Sequence, residues 1–310
     1  AIISGNTMVV KPSEQSPLSA SILGEICKEI LPPGVVNIVT GGRETGETLV
    51  RHPRVKRIAF IGQPASGMAI QKAAAETAVK YVTLELGGKN PLIAFEDSDL
   101  EKVAACAVGG MNFGWQGQSC GSMSRILLHE SIHDRVLEKI LERVAKIKVG
   151  HPLDPATNMG PINNKAQYQK VLSYIDLGMK EGAKLLHGGK VPQGDEFKRG
   201  YWVEPTVFSD VNMAMRLAKE EVFGPVMSVL KFKTDQIGKG MDFTGVHHFG
   251  ILVDNPDKMI EKLESLGAEC FMGKDKGHGK GFFEIKFKGP DGTVFDIAGH
   301  TWMGAKGLEG

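Results

Sequence analysis

Short β-prone runs alternate with helical segments over the first 86 residues, and this alternation is the strongest constraint on the fold. Strands are predicted at residues 7–10, 35–40, 58–61 and 81–86. One helix is predicted to open at Ser16-Pro17. Another, rich in alanine, is predicted to follow residues 62–67 and to end near Glu76. Apolar strands that alternate with helices are typical of a parallel sheet covered on both faces. We therefore predict an α/β fold with a doubly wound sheet.

The alternation of predicted strands and helices continues over residues 87–230. Strands are predicted at residues 92–95 and 125–128. The intervening helix is predicted to start at a Ser98 cap and to run toward Trp115. Further helices are predicted at residues 133–149, where apolar side chains share one face, and at residues 166–181.

Composition changes in the last quarter of the chain. Residues 238–310 contain 15 of the 39 glycines and 7 of the 14 phenylalanines, which predicts a boundary within residues 232–241. The pattern there is a strand at 246–253, a helix at 256–266, and strands at 282–287 and 293–297. We predict domains at residues 1–86, 87–230 and 231–310, the last an α+β module of βαβββ type.

Charge argues against a nucleic-acid or membrane-surface protein. Lys and Arg total 37 and Asp and Glu total 36, so the net charge is +1 and no basic excess exists. No apolar run approaches the roughly 18 residues of a membrane-spanning helix.

The cellular compartment is predicted from the spacing of the cysteines and from the N-terminal residues. The four cysteines lack C-x-x-C spacing, which favours neither a zinc ribbon nor a disulfide framework. A reducing, cytoplasmic location is the default. The sequence opens at Ala1 without the pattern of a signal peptide and without Met, which predicts a fragment or a processed form.

Two residues stand out as candidates for catalysis. Cys120 lies in Gly117-Gln118-Ser119-Cys120-Gly121, a Gly-flanked break where a thiol can be exposed, although a cysteine is more often a small buried hydrophobe. Glu85 lies at the carboxyl end of an apolar strand, where doubly wound folds place their ligands. An ion pair with a neighbour such as Lys89 is the alternative for this glutamate.

Two segments are candidates for binding a nucleotide. Lys11, Ser13 and Glu14 follow the first strand, where Lys and Glu can bind a ribose, although a solvated charge pair is the alternative. Residues 62–67 lie between a strand and a helix, so backbone N–H groups there can meet a phosphate. This segment is not G-x-G-x-x-G, and the sequence around Lys89 is not a P-loop.

A zinc-protease pattern occurs at His129-Glu130-Ser131-Ile132-His133. The zinc interpretation requires both histidines on one face of a single helix. Here the pattern straddles a predicted strand-to-helix junction, so we do not favour a metal site.

Taken together, residues 5–230 closely resemble the aldehyde dehydrogenase superfamily. The matching stretches occur in the family's order and at family-like spacing. They are Gly5-Asn-Thr-Met-Val-Val-Lys-Pro-Ser-Glu14, Leu31-Pro-Pro-Gly-Val-Val-Asn-Ile-Val-Thr-Gly41, Glu85-Leu-Gly-Gly-Lys89, Gly117-Gln-Ser-Cys120, Gly160-Pro161 and Glu220-Glu-Val-Phe-Gly-Pro225.

The resemblance implies oxidation of a small-molecule aldehyde to a carboxylic acid with NAD. It implies that Cys120 is the nucleophile, passing through a thiohemiacetal and a thioester, and that Glu85 is the general base for deacylation. The remaining implied roles are in cofactor binding. They fall on Lys11, Ser13 and Glu14 at the adenosine ribose, on Gly62, Gln63 and Gly67 at the pyrophosphate, and on Leu86, Gly87, Glu221 and Phe223 near the nicotinamide.

The sequence departs from the family pattern in three ways. Gln63 stands where the family usually has Ser. The resemblance also implies that the family's oxyanion asparagine and first cofactor strands precede Ala1. The family's C-terminal elements, including its oligomerisation strand, are expected after about residue 229 and do not follow here. The family is therefore represented by about half its length, and a homo-oligomer is an open expectation.

The last segment resembles one module of the vicinal oxygen chelate (glyoxalase-like) superfamily. The matching stretches are residues 243–253 and 283–299. This resemblance implies a divalent-metal site with His248 and Asp296 as two ligands, although both can be ordinary strand residues. Two ligands do not close a site, so a second module or a dimer would be required.

Both resemblances break off inside a domain, which favours a fusion of two fragments joined within residues 227–234. Three functions follow as hypotheses: an NAD-dependent aldehyde dehydrogenase segment, a metal-dependent lyase or dioxygenase-like module, and a chain that is not catalytic or only binds nucleotide.

The carboxylate of Glu14 leads to a prediction about cofactor choice. It accepts a hydrogen bond from a ribose 2′-hydroxyl but repels a 2′-phosphate, so NAD is expected to bind more tightly than NADP. Removing the charge with Glu14→Gln is expected to narrow the ratio of the two dissociation constants, measured by titration. Tighter binding of NADP to the unmodified protein would contradict the assignment.

Overall fold

The computed structural model describes residues 1–233, 249–253, 255–272, 285–289 and 294–298. It divides the chain into two compact units. The first consists of Ala1–Gly88 with Ile162–Tyr168. The second consists of Lys89–Pro161 and the described residues from Gln169 onward.

The first unit alternates strands and helices as predicted. After a short 3₁₀ turn at Ile2–Ser4, its elements are β1 (Met8–Val10), α1 (Pro17–Ile30), β2 (Val36–Ile38), α2 (Arg43–Arg51), β3 (Arg57–Gly62), α3 (Pro64–Ala75) and β4 (Tyr81–Leu86). Pro17 opens α1 at its first position, but the Ser16 side chain makes no capping hydrogen bond.

The strands of this unit pair in parallel, but they form two two-stranded sheets, β1 with β2 and β3 with β4. Residues along β3 and β4 alternate between exposed and half-buried. The helix α3 packs on both strands. The prediction of one continuous sheet buried on both faces is therefore wrong for the described residues, because alternate side chains of these strands face solvent.

The second unit contains a five-stranded sheet. Its elements are β5 (Pro91–Ala94), α4 (Leu100–Gly110), β6 (Arg125–His129), α5 (His133–Val144), α6 (Lys165–Lys180), β7 (Lys184–His187), β8 (Thr206–Ser209), α7 (Arg216–Lys219) and β9 (Val226–Phe232), with 3₁₀ turns at Phe113–Trp115 and Asp195–Phe197. The first residues of α6 cluster with the first unit. The strand order is β5-β6-β9-β8-β7, parallel except for β7 at the edge.

The helices and central strands of this unit share an apolar core. The helices α4 and α5 pack together, and α5 contacts β6. Buried side chains from these helices and from the central strands form one cluster: Ala94, Ala104, Ala107, Ile126, Leu128, Val136, Ile140 and Val229.

The boundaries of α4 and α5 differ from the predictions. Asp99, rather than Ser98, caps α4, since its Oδ1 accepts from the N–H groups of Glu101 (3.0 Å) and Lys102 (3.1 Å). This helix ends at Gly110, before a separate 3₁₀ turn, and α5 ends at Val144 instead of residue 149.

The strand β9 continues beyond the boundary predicted at residue 230. Its residues pair with β6 from Ser228 opposite Arg125 to Phe232 opposite His129. The N–H of Glu130 also donates to the carbonyl of Phe232 over 2.9 Å. Lys231 and Phe232, which the predicted boundary places in the third domain, therefore lie in the five-stranded sheet.

The described C-terminal residues form a second, smaller sheet. Its elements are β10 (Phe249–Leu252), α8 (Pro256–Ser265), β11 (Glu269–Met272), β12 (Ile285–Lys288) and β13 (Val294–Ala298). The strand order is β10-β13-β12-β11, with β10 and β13 parallel and the other pairs antiparallel. Ile260 of α8 packs with Ile285, Phe287 and Ile297 of the sheet. Of the predicted strand at 246–253, residues 246–248 lie outside the described residues.

No helix in the described part of the chain combines the length and apolar character needed to cross a membrane.

Candidate functional site

The amino ends of three neighbouring parallel strands meet at one edge of the five-stranded sheet. Asn90 precedes β5, Ser124 precedes β6 and Pro225 precedes β9. The Arg125 N–H donates to the Asn90 carbonyl (3.3 Å), and the Ser228 N–H donates to the Ser124 carbonyl (2.9 Å). The loops that enter these strands are therefore held beside one another.

Cys120 lies in the turn that leads into β6, and it is exposed. The alternative of a small buried hydrophobe therefore does not apply. Ser119 shapes the turn, because its Oγ accepts from the Gly121 N–H (3.1 Å) and its carbonyl accepts from the Ser122 N–H (3.1 Å). Asn90 Nδ2 donates to the Cys120 carbonyl (2.5 Å) and lies 3.5 Å from the Ser122 carbonyl.

The segment before β9 packs directly against the start of the Cys120 loop. Gly117 has a left-handed φ of +63°, and a Cβ there would lie 2.1 Å from the Gly224 carbonyl oxygen. A Cβ on Gly224 would in turn lie 2.3 Å from Val171. Glycine is therefore favoured at Gly117 by the close approach of the Gly224 backbone, and at Gly224 by the close approach of the Val171 side chain.

Phe223, the predicted nicotinamide contact, has a backbone conformation that is rare for a bulky residue. Its φ is 57°. Such conformations are strained and cluster at functional sites. Glu220 and Glu221, the two residues before Val222, are anchored by other residues. This anchoring helps to hold Phe223 in its strained conformation.

Glu220 and Glu221 are fixed by different partners. The Glu220 carboxylate accepts from Arg216 Nε (2.8 Å) and from the Tyr174 hydroxyl (2.5 Å). These bonds lower the pKa of Glu220 to about 2. Lys170 Nζ donates to the Glu221 carbonyl (2.8 Å).

Lys89 is a buried cation at the same edge. Its ammonium is shielded from solvent and has no hydrogen-bond partner among the described residues. Burial, with Arg125 as the next cause, lowers the pKa of Lys89 to about 8, while Glu221 opposes the shift. Arg125 donates from Nη2 to the Lys89 carbonyl (2.5 Å), and burial lowers its own pKa.

In the first unit, Lys11 and Glu14 lie just beyond β1. Lys11 Nζ donates to the carbonyls of Pro12 (2.7 Å) and Gly41 (2.8 Å), and lies 3.8 Å from the Glu14 carboxylate. The Glu14 side chain is 60% exposed. Ser13 Oγ accepts from the Gln15 N–H (3.2 Å). Both the ribose-binding interpretation and the solvated pair fit this geometry.

The predicted phosphate turn lies where β3 meets α3. Gly62 pairs with Leu86 at the ends of β3 and β4, and Gly87 follows directly. Gln63 precedes α3 without capping it, and Pro64 occupies the first turn. A Cβ on Gly67 would lie 3.0 Å from Leu86, so this glycine lets α3 pack closely on β4.

Glu85 is exposed near the end of β4. The side chain is exposed because alternate residues of β4 face solvent. Glu85 belongs to the first unit, whereas Cys120 belongs to the second.

Neither of the considered metal sites is assembled by the described residues. His129 ends β6 and His133 begins α5, so the two histidines are not on one helix. His248 lies outside the described residues, and Asp296 is described only by its pairing with Gly250 and Lys286. No group of three or more His, Cys, Asp or Glu suited to a metal occurs within the described ranges.

Comparison with known proteins identifies the family. The family model of the aldehyde dehydrogenase family matches residues 1–238. The chain belongs to this family.

Its relatives include an aldehyde dehydrogenase of Talaromyces stipitatus, 46% identical over 238 residues. A betaine aldehyde dehydrogenase of Mesorhizobium japonicum is 47% identical over 233 residues. These alignments cover 76% and 75% of this chain, and 46% and 47% of the relatives. The chain therefore spans about half the length of the curated relatives it matches.

Solved structures agree with this assignment. An NAD-dependent aldehyde dehydrogenase from Sinorhizobium meliloti matches with a TM-score of 0.72 and 42% identity, covering 75% of this chain and 46% of that one. Betaine aldehyde dehydrogenase from Staphylococcus aureus, in complex with NAD⁺, matches with a TM-score of 0.70 and 40% identity, covering 74% and 46%. No glyoxalase-like protein is among these matches.

Sequence reasoning missed the contacts of Asn90 and Lys170, and it named Lys89 and Gly224 only as members of motifs. Asn90 directly follows the Glu85-Leu-Gly-Gly-Lys89 motif, and that adjacency was a usable signal. Lys170 carries no motif, and its role depends on where α6 packs.

Gly117 offers a test of how closely the two loops pack. Gly117→Ala is expected to lose clearly more stability than the roughly 1–2 kcal/mol of a left-handed alanine, because its Cβ also meets the Gly224 carbonyl. Gly182→Ala is the matched control, since Gly182 also has a positive φ but has open space around its Cβ position. Urea unfolding measures both variants, and equal losses would contradict the close approach.

Lys89 leads to a pH prediction. Because the pKa of Lys89 is lowered to about 8, the folded chain binds fewer protons than the unfolded chain between about pH 8 and 10.5. The burial penalty is therefore fully present below pH 8 and is relieved as pH rises through that window. Lys89→Met is expected to stabilise the protein at pH 7 by up to roughly 3 kcal/mol, with the gain shrinking toward pH 10.5.

Denaturant unfolding across pH 7–10.5 measures this gain. Lys102→Met is the control, since the Lys102 side chain is 84% exposed. A gain for Lys89→Met that did not change with pH would contradict a buried, titrating ammonium.

Proposed function

We propose that this chain carries the cysteine chemistry of an NAD-dependent oxidation of a small-molecule aldehyde to a carboxylic acid. The observation that carries the proposal is the exposed Cys120, fixed in a hydrogen-bonded turn at the edge where three parallel strands begin. Membership of the aldehyde dehydrogenase family supports the reaction class.

Cys120 acts as the nucleophile in this proposal. Its thiolate attacks the aldehyde carbonyl carbon and forms a carbon–sulfur bond, giving a thiohemiacetal oxyanion. The Cys120 N–H makes no hydrogen bond within the described part of the chain, so it is available to that oxyanion.

Glu85 is the proposed general base. Its carboxylate is exposed at the end of β4 and can take a proton from the water that releases the acid from Cys120.

The chain's residues fit a nicotinamide dinucleotide. The first turn of α3 has no side-chain cap, so the N–H groups of Ala65 and Ser66 are available to a pyrophosphate beside Gly62 and Gln63. When bound, the cofactor supplies the hydride acceptor that aldehyde oxidation requires.

The two ends of the cofactor are assigned to other residues. Lys11 is anchored by two backbone carbonyls next to the exposed Glu14, and this pair would hold the adenosine ribose. Glu221 and Phe223 would contact the nicotinamide end. The S. aureus relative in complex with NAD⁺ supports NAD as the cofactor, and betaine aldehyde dehydrogenases among the relatives support an aldehyde as the substrate.

For the C-terminal segment we keep the hypothesis of a glyoxalase-like βαβββ module fused to the aldehyde dehydrogenase part. Its support is the element order β10-α8-β11-β12-β13 and the parallel pairing of β10 with β13. His248 and Asp296 would be two of its metal ligands. Metal analysis of the dialysed protein tests this: a stoichiometric divalent ion supports the module, and its absence removes the metal hypothesis.

Cys120→Ala tests the main proposal. If the chain forms NADH from aldehydes, this variant is expected to lose that activity by at least about a thousandfold, because the nucleophile is gone. Cys106→Ala is the matched control, since Cys106 is also exposed. Thermal melts with saturating NAD check that the cofactor still binds. Equal activity of Cys120→Ala and the unmodified protein would refute the assignment.

A further inference from the structure

The side chain of Asn90 binds the nucleophile's own carbonyl, although the two residues are 30 positions apart in sequence. Its Nδ2 lies 2.5 Å from the Cys120 carbonyl oxygen and 3.5 Å from that of Ser122. The Asn90 backbone is itself fixed, because its carbonyl accepts from the Arg125 N–H (3.3 Å) at the start of β6. The Asn90 side chain therefore extends from a backbone that is anchored to the sheet, and not from the turn that contains Cys120.

The peptide group that joins Cys120 to Gly121 is held at both ends. Asn90 donates to its carbonyl oxygen, and Ser119 Oγ accepts from its N–H (3.1 Å). A peptide fixed at oxygen and nitrogen cannot rotate as a unit, so the backbone torsion ψ of Cys120 is fixed. Rotation about that torsion would swing the Cys120 nitrogen and Cβ together relative to the anchored peptide, so holding it gives both groups one orientation.

Orientation is important here because Cys120 is exposed. Apolar packing therefore does little to restrain its side chain, and hydrogen bonds to the backbone are the available restraint. In acyl chemistry the thiolate and the oxyanion donor must address the same carbonyl group, one at carbon and the other at oxygen. A turn free to rotate would present them together only part of the time.

We propose that Asn90 is a positioning residue for the Cys120 nucleophile. It holds the Cys120 Cα, and with it the N–H and Cβ, in one orientation, so that attack and oxyanion stabilisation occur at the same bound carbonyl group. The inference rests on the proposed function, in that Cys120 is taken as the nucleophile.

Two reagents separate alignment from simple thiol reactivity, and neither needs NAD. In acylation by p-nitrophenyl acetate, the thiolate forms a bond to the carbonyl carbon and p-nitrophenolate leaves, through a tetrahedral oxyanion. In alkylation by iodoacetamide, the thiolate displaces iodide and no oxyanion forms. Peptide mapping by mass spectrometry measures each rate at Cys120, with the exposed Cys106 as an internal reference.

The variants are Asn90→Ala and the nearly isosteric Asn90→Leu, both uncharged. Asn90→Gln keeps an amide donor and tests rescue. Asn212→Ala is the matched control, because Asn212 holds another loop of the same unit through a 2.9 Å bond from the Ala214 N–H. Rates are compared at the high-pH plateau, where the thiol is ionised, so that a shifted thiol pKa does not enter. Thermal melts identify the variants that fold.

We expect the acylation of Cys120 to fall by about tenfold or more in Asn90→Ala and Asn90→Leu, with partial recovery in Asn90→Gln. Alkylation of Cys120 should change by less than about threefold, and Cys106 and the Asn212→Ala protein should react as in the unmodified chain. Unchanged acylation in a folded variant, or equal falls in acylation and alkylation, would overturn the role of Asn90. If the unmodified protein is not acylated at Cys120, the nucleophile assignment fails and this inference fails with it.

Discussion

The parallel, in-register pairing of β5, β6 and β9 is the constraint on which the candidate site depends. Parallel neighbours start at the same edge of a sheet, so the three loops that enter them are brought side by side. The Asn90, Cys120 and Gly224 segments, far apart in sequence, meet there for that reason. The apolar core between the sheet and helices α4 and α5 keeps this register, because a slip of one residue would move Ile126 and Leu128 from this cluster to the opposite face of the sheet.

The same edge concentrates charge that is only partly neutralised. Lys89 and Arg125 are desolvated, and their mutual repulsion adds to the penalty on Lys89. Glu221 opposes that penalty, while Glu220 is already bound by Arg216 and Tyr174. Buried charge of this kind destabilises the fold, and groups with perturbed pKa values cluster at functional sites. The left-handed Phe223 adds backbone strain at the same place.

Much of the fold followed from local sequence patterns. The strands β1 to β4 and the helices α1 and α3 were predicted, whereas the helix α2 was not. The helix caps and the buried strands were harder to predict from the sequence. Ser98 and Asp99 are both residue types that favour the N-cap position. Which of them caps α4 is decided by the residue at which the helix begins. The strands β8 and β9 are buried at nearly every position, so they lack the alternation that marks a strand in sequence.

The sequence by itself determined the family and the chemically distinctive residues, since Cys120, Glu85 and the glycine-rich turns lie in motifs a few residues long. It did not determine that Glu85 is exposed, that residues 230–232 complete a strand of the main sheet, or that Asn90 holds the Cys120 carbonyl. Those facts were decided by tertiary structure, because each depends on which strand lies beside which. Local torsion preferences act over a few neighbours, whereas the pairing of β5, β6 and β9 joins residues from 30 to more than 100 positions apart.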